Sequence, residues 1–141
     1  MALPIVDVNY LAVVVAGLVS FVIGGLWYSP LIFGNIWMKE SGINKSQVDK
    51  SKKKGMTASY IITLVSALVM AYVLANFVKY VAISSAIDAL ELGFCVWLGF
   101  IATVGLGSIL WEGKSFRLYA INMGYYLISL ILMSVILTLW V

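Results

Sequence analysis

Between Asp7 and Lys39 the chain carries no charged residue. A bilayer core is crossed by roughly 20 helical residues, so this run is longer than one span requires. Its second half, GGLWYSPLIFG, breaks the apolar pattern with serine, proline and glycine. Whether that block ends a span, hinges one or forms part of a site is the first question the sequence raises.

The whole chain has the same character. It is 63% hydrophobic and 11% charged, where a soluble domain carries about 25% charged residues. At 141 residues it is one domain, too poor in polar groups to cover a core. The expectation is an all-α integral membrane four-helix bundle, with spans at about 10–29, 58–77, 85–111 and 118–140 and a loop at about 30–57. Barrel strands would need alternating polarity, which these segments lack. The first run is long enough to span and has no basic lead-in, so it reads as a span and not as a cleaved signal. The single cysteine, Cys95, cannot form an intrachain disulfide, and the absence of histidine excludes imidazole chemistry.

Loop charges predict the orientation. Of the nine basic residues, all but Lys79 lie in the first loop (Lys39, Lys45, Lys50, Lys52, Lys53, Lys54) or the third (Lys114, Arg117). The positive-inside rule then places both loops in the cytoplasm and both termini outside, N-out and C-out in a bacterial inner membrane. In the first loop, Ser46 with Asp49 three residues on has capping-box spacing. Lys52, Lys53 and Lys54 set topology or meet anionic lipid headgroups, at about 1 kcal/mol per basic residue.

With that orientation Asp88 and Glu91 fall on the outer side. Three residues apart, they share a helical face. Below Glu91 the same face continues through Cys95, Leu98 or Gly99, Ala102 and Gly105, which predicts close helix packing. A cation-attracting mouth is one reading, since intramembrane acids point to function. The other is that both acids cap the first turn of a helix at the headgroup level. Two small-residue stripes, Ala12–Ala16–Ser20–Gly24 and Cys95–Gly99–Thr103–Gly107, are expected to join spans 1 and 3 or two protomers. In span 4, Asn122, Tyr126 and Ser129 share a face, with Tyr125 adjacent, and either glue helices together or line a polar path. Asn9, near the outer end of span 1, reads the same way or as an N-cap at the interface.

The WYSP block then falls near the inner interface. Trp27 and Tyr28 suit an aromatic belt, as do Trp37, Trp111 and Trp140. Pro30 disfavours helix at Ser29, so the span should end or kink there, with Phe33 beyond it and Gly34 permitting a turn into an inner-face segment. The alternative is an inner gate made by Trp27, Tyr28 and Phe33.

No nucleophile–base pair, phosphate loop or metal-ligand cluster stands out, so neither an enzyme nor a cofactor or metal is expected. The segments NYLAVVVAGLVSFVIGGLWYSPLIFGNIWMK, KKKGMTASYIITLVSALVMAYVLANF, GFCVWLGFIATVG and FRLYAINMGYYLISLILMSVILTLW resemble the bacterial family named domain of unknown function 1761. The block from Trp27 to Gly34 is the most specific part of the likeness. The resemblance implies a small multi-span membrane protein and brings no activity, substrate or catalytic residue. Proteins of that family often carry histidine where this chain has Tyr126, so no imidazole chemistry there is general to the group. The functional expectation is a homo-oligomeric transporter or channel for a cation or small solute. The alternative is a non-transporting structural, lipid-interacting or accessory membrane protein. The partners expected are the bilayer, with anionic lipids, and further copies of the chain; nucleic acid is not among them.

Overall fold

The computed structural model describes residues 6–42 and 57–140, and among these the chain is helical with no strand. Five helices follow one another: α1 (Tyr10–Trp27), α2 (Gly34–Ser41), α3 (Thr57–Val81), α4 (Ala86–Leu110) and α5 (Phe116–Leu139). All but the short α2 are long and apolar enough to cross a membrane. Four helices long and apolar enough to span fall where the four spans are expected. The first stops at Trp27, short of Ser29, and the second runs past residue 77 to Val81.

The helix starts follow local chemistry. Asn9 Oδ1 accepts from the Leu11 and Ala12 amides at 3.1 and 3.2 Å. Ser85 and Ser115 do the same for Asp88 and Leu118, each at 3.1 Å. These bonds satisfy amides that have no partner within the helix. α3 closes with Ala82 in the left-handed region (φ 59°) and Ile83 N–H reaching back to the Val78 carbonyl at 3.4 Å, a terminator that usually employs glycine.

α5 is the centre of the bundle and packs against α1, α3 and α4. α1 and α3 meet through small residues: Ala12, Ala16, Gly17 and Ser20 are buried on one, and Ala67, Ala71 and Ala75 on the other. A Cβ at Gly17 would lie 2.6 Å from Leu68 Cδ2. Lipid is as apolar as leucine, so helices in it associate by such close approach and not by hydrophobic drive. This corrects the expected pairing of spans 1 and 3 within one chain. The α1 stripe packs on α3 and α5, whereas Cys95, Gly99 and Thr103 of the second stripe are exposed, and every extensive contact of α4 is with α5.

The reason lies within α4. Trp97–Ala102 is a π-helical segment, where the extra residue per turn rotates the face beyond it. Before it, Glu91 and Cys95 lie exposed. Within it, Gly99 is exposed while its last residue, Ala102, is buried. The face under Glu91 is therefore not the continuous packed stripe that regular helical spacing predicts. Instead α4 docks by Gly93, where an added Cβ would lie 2.9 Å from Ile131 Cα of α5, and by two polar ties. The Trp97 indole donates to the Met123 carbonyl at 2.8 Å, and the Tyr119 hydroxyl donates to the Ala102 carbonyl at 2.7 Å.

α1 has buried residues only as far as Ser20, and α3 only from Ala67 onward. Beyond those points the two helices part. α1 stays with α5, while α3 leaves the bundle with residues 57–63 all exposed. This divergence opens the site described next.

Candidate functional site

The WYSP block is the end of α1 and a tight turn that ties it to α5. The Trp27 indole donates to the Ile121 carbonyl at 2.9 Å, and the Tyr28 hydroxyl donates to Asn122 Oδ1 at 2.7 Å. Buried indole and phenol groups need such partners, and α5 supplies both. Ser29 Oγ donates to the Leu26 carbonyl at 2.6 Å. Pro30 stands exposed in the turn, where its missing N–H costs nothing. The turn is closed by Phe33 N–H to the Trp27 carbonyl (3.0 Å) and Gly34 N–H to the Ser29 carbonyl (2.8 Å). Phe33 packs its ring 4.8 Å from that of Trp27, and Trp37 meets Tyr28 edge-on at 5.9 Å, which seats α2 on the start of α5. An ion pair between Glu40 and Arg117 at 3.9 Å adds a link that is mostly exposed on the arginine side and therefore weak.

Beside this turn, where α3 departs, lies a cleft of about 520 Å³. Phe21, Gly24, Gly25 and Tyr28 line one wall, Tyr60 and Thr63 of α3 another, and Tyr125 and Tyr126 of α5 the back. The Tyr125 hydroxyl donates to the Ser20 carbonyl at 3.0 Å and lies 3.2 Å from the Ser20 hydroxyl. A cavity of about 120 Å³, lined among others by Ser20, Ser66, Met70, Tyr125 and Tyr126, leads onward. It opens into an apolar groove of about 480 Å³ between α3 and α4, floored by Leu130 of α5 and walled by Val65, Val69, Val73, Phe77 and Val96. Ser66 and Met70 line both the cavity and the groove, so the three spaces run together along α3. Among the described residues no charged side chain lines any of them.

Tyr126 is the hub. It lines the cleft, the connecting cavity and a further recess of about 410 Å³ shared with Tyr28, Trp37, Asn122 and Met123. Its hydroxyl makes no hydrogen bond with any described residue, unlike those of Tyr28, Tyr119 and Tyr125.

The structure thus brings together Trp27, Tyr28, Phe33, Asn122 and Tyr126, which the sequence divides between a gate or bend and a polar path. It sets Asp88 and Glu91 apart. Both are exposed near the start of α4, at the opposite end of the bundle, and Asp88 sits in the turn capped by Ser85. Ser129 is buried beneath the cleft without lining it, and its hydroxyl has no partner among the described residues. Ser46, Asp49, Lys52, Lys53 and Lys54 lie outside the described residues. Among the described residues no group of histidine, cysteine, aspartate or glutamate could hold a metal ion. Sequence reasoning missed Ser20, Phe21, Tyr60 and Thr63. Each carries little signal alone, and only the divergence of α1 and α3 makes them neighbours.

The family model described as Protein of unknown function (DUF1761) matches residues 11–138. No curated protein and no solved structure matches the chain.

Proposed function

We propose that this chain, which belongs to the DUF1761 family and inherits no activity from it, is a membrane protein that binds an uncharged amphiphile along α3. The observation that carries the reading is the continuity of an uncharged polar cleft with an apolar groove. The order along α3 is polar near Tyr60 and apolar from Val65 to Phe77. With the lysine-rich loops in the cytoplasm of a bacterial inner membrane, that order matches a lipid of the inner leaflet, head at the interface and tail toward the midplane. A cleft of about 520 Å³ is also of the size that binds small ligands, at roughly 300–1,000 Å³. On this reading the chain has no catalytic role, and Lys52–Lys54 add affinity for anionic lipid around it.

Native mass spectrometry of the protein in mild detergent tests the reading. The wild type should carry a bound amphiphile, and the double variant V69W/V73W, which fills the groove from an exposed helix face, should lose most of it. Equal occupancy in both, or none in either, would end the proposal.

Transport of a cation or small solute by a homo-oligomer is the second reading, favoured by the polar Tyr28–Asn122 pair beside the cleft. It requires Glu91 and Asp88 to lie on the same path as the tyrosines. It would be carried by cation flux in liposomes that falls in Glu91→Gln, and dropped without it.

A further inference from the structure

We infer that the head taken by the cleft is a planar, uncharged ring bearing carbonyl oxygens on an apolar tail, the chemistry of a membrane quinone. This rests on the amphiphile-binding reading above and narrows its ligand.

The walls of the cleft are rings. Tyr125 lies 5.1 Å from Tyr126 and 5.7 Å from Tyr28, with planes tilted by 53° and 63°, and Phe21 and Tyr60 complete the enclosure. Tilted aromatic walls offer both faces and edges, and a flat ring fits them by offset or edge-on contact. Gly25 faces open space at the same wall, leaving room for such a ring.

The hydrogen-bonding inventory then selects an acceptor. The Tyr28 hydroxyl is committed to Asn122, that of Tyr125 to the Ser20 carbonyl, and that of Thr63 to the Ser59 carbonyl at 2.8 Å. The Tyr126 hydroxyl at the back wall and the Tyr60 hydroxyl on the α3 wall make no hydrogen bond with any described residue, and a ring carbonyl is a group that takes either. A phosphate or ammonium head would be desolvated with no opposite charge among the described lining residues, which is costly. A sugar or glycerol head would bring several hydroxyls to a wall with few open partners.

The tail follows from the groove. From Ser66 to Phe77 it extends roughly 17 Å along α3 at 1.5 Å per residue. Its surface is largely branched aliphatic: Val65, Val69, Val73, Leu74, Val96 and Leu130. Binding alone is inferred, with no bond made or broken.

The test uses the whole protein in lipid nanodiscs, titrated with decylubiquinone (ring and tail), duroquinone (ring alone) and decanol (tail alone). Saturable quenching of tryptophan fluorescence reports the quinones, and displacement of decylubiquinone reports decanol. Decylubiquinone should bind tightest, and Tyr126→Phe, which keeps the ring and removes the donor, should weaken both quinones about fivefold. Decanol binding should not change in that variant. If decanol competes as well as decylubiquinone binds, or if Tyr126→Phe leaves quinone affinity unaltered, the quinone inference is overturned while amphiphile binding stands. If none of the three saturates, both readings fall together.

Discussion

Gly34→Ala should undo the turn that fastens α1 to α5 and destabilise the protein by about 3 kcal/mol, the upper end of the usual cost of overpacking. A Cβ at Gly34 would lie 2.5 Å from the Tyr28 carbonyl oxygen, and 2.6 and 2.7 Å from the carbonyl carbon and oxygen of Ser29. All three are backbone atoms, so no side chain can swing away to make room. The turn would have to open, and with it the bonds from Phe33 to Trp27 and from Gly34 to Ser29. Trp27 and Tyr28 would then lose their alignment with Ile121 and Asn122. A lower midpoint of thermal unfolding in detergent, with a red-shifted tryptophan emission, is the expected result. An unchanged midpoint would mean that the block does not hold the helices together. The sequence leaves open whether GGLWYSPLIFG is an end, a hinge or a site. Structurally it is an end, and the bonds that make it one also form one wall of the cleft.

Gly93→Val should push α4 off α5 at a cost of about 3 kcal/mol. The first added carbon would lie 2.9 Å from Ile131 Cα and 3.0 Å from the Leu130 carbonyl oxygen, again backbone. α4 has no other extensive partner among the described helices, so the strain cannot be shared. Displacing α4 also moves Val96, the α4 wall of the groove, so retention of a tailed amphiphile should fall with stability. Gly99→Val on the same helix is the control. Nothing lies within 4 Å of a Cβ there, and the expected change is within about 0.5 kcal/mol. Chemical unfolding of the two variants side by side checks the pair. Equal losses in both would show that helix propensity, and not docking, sets the effect.

The contrast between those glycines marks what could be read from sequence. Both sit in one apolar run, and spacing alone favoured Gly99, as part of the Cys95–Gly107 stripe. The π-helical segment from Trp97 to Ala102 breaks that spacing, and no local residue pattern announces it. It coincides with the reach of the Trp97 indole to Met123, a contact set by the partner helix. The cleft was half legible for the same kind of reason. Asn122 and Tyr126 stand out because a polar group in an apolar span needs an explanation. Tyr60 and Thr63 do not, since near a helix end they read as ordinary interfacial residues. For Asn9 the sequence already offered the cap as one of two readings, because a cap depends only on its own next turn.

By itself the sequence determined the number and approximate extent of the apolar helices and the loops that carry the positive charge, and it offered Asn9 as the cap that begins α1. Those features depend on composition and on neighbours within a few residues. Only the tertiary structure decided that α5 is central, that α1 pairs with α3 through small residues, and that α3 departs beyond Ala67 to open an uncharged cleft onto an apolar groove. In a soluble helix the polar face tells which side is buried. Here the side chains facing other helices and those facing outward are equally apolar, so the pattern that would announce a partner is missing, and close packing alone chooses it.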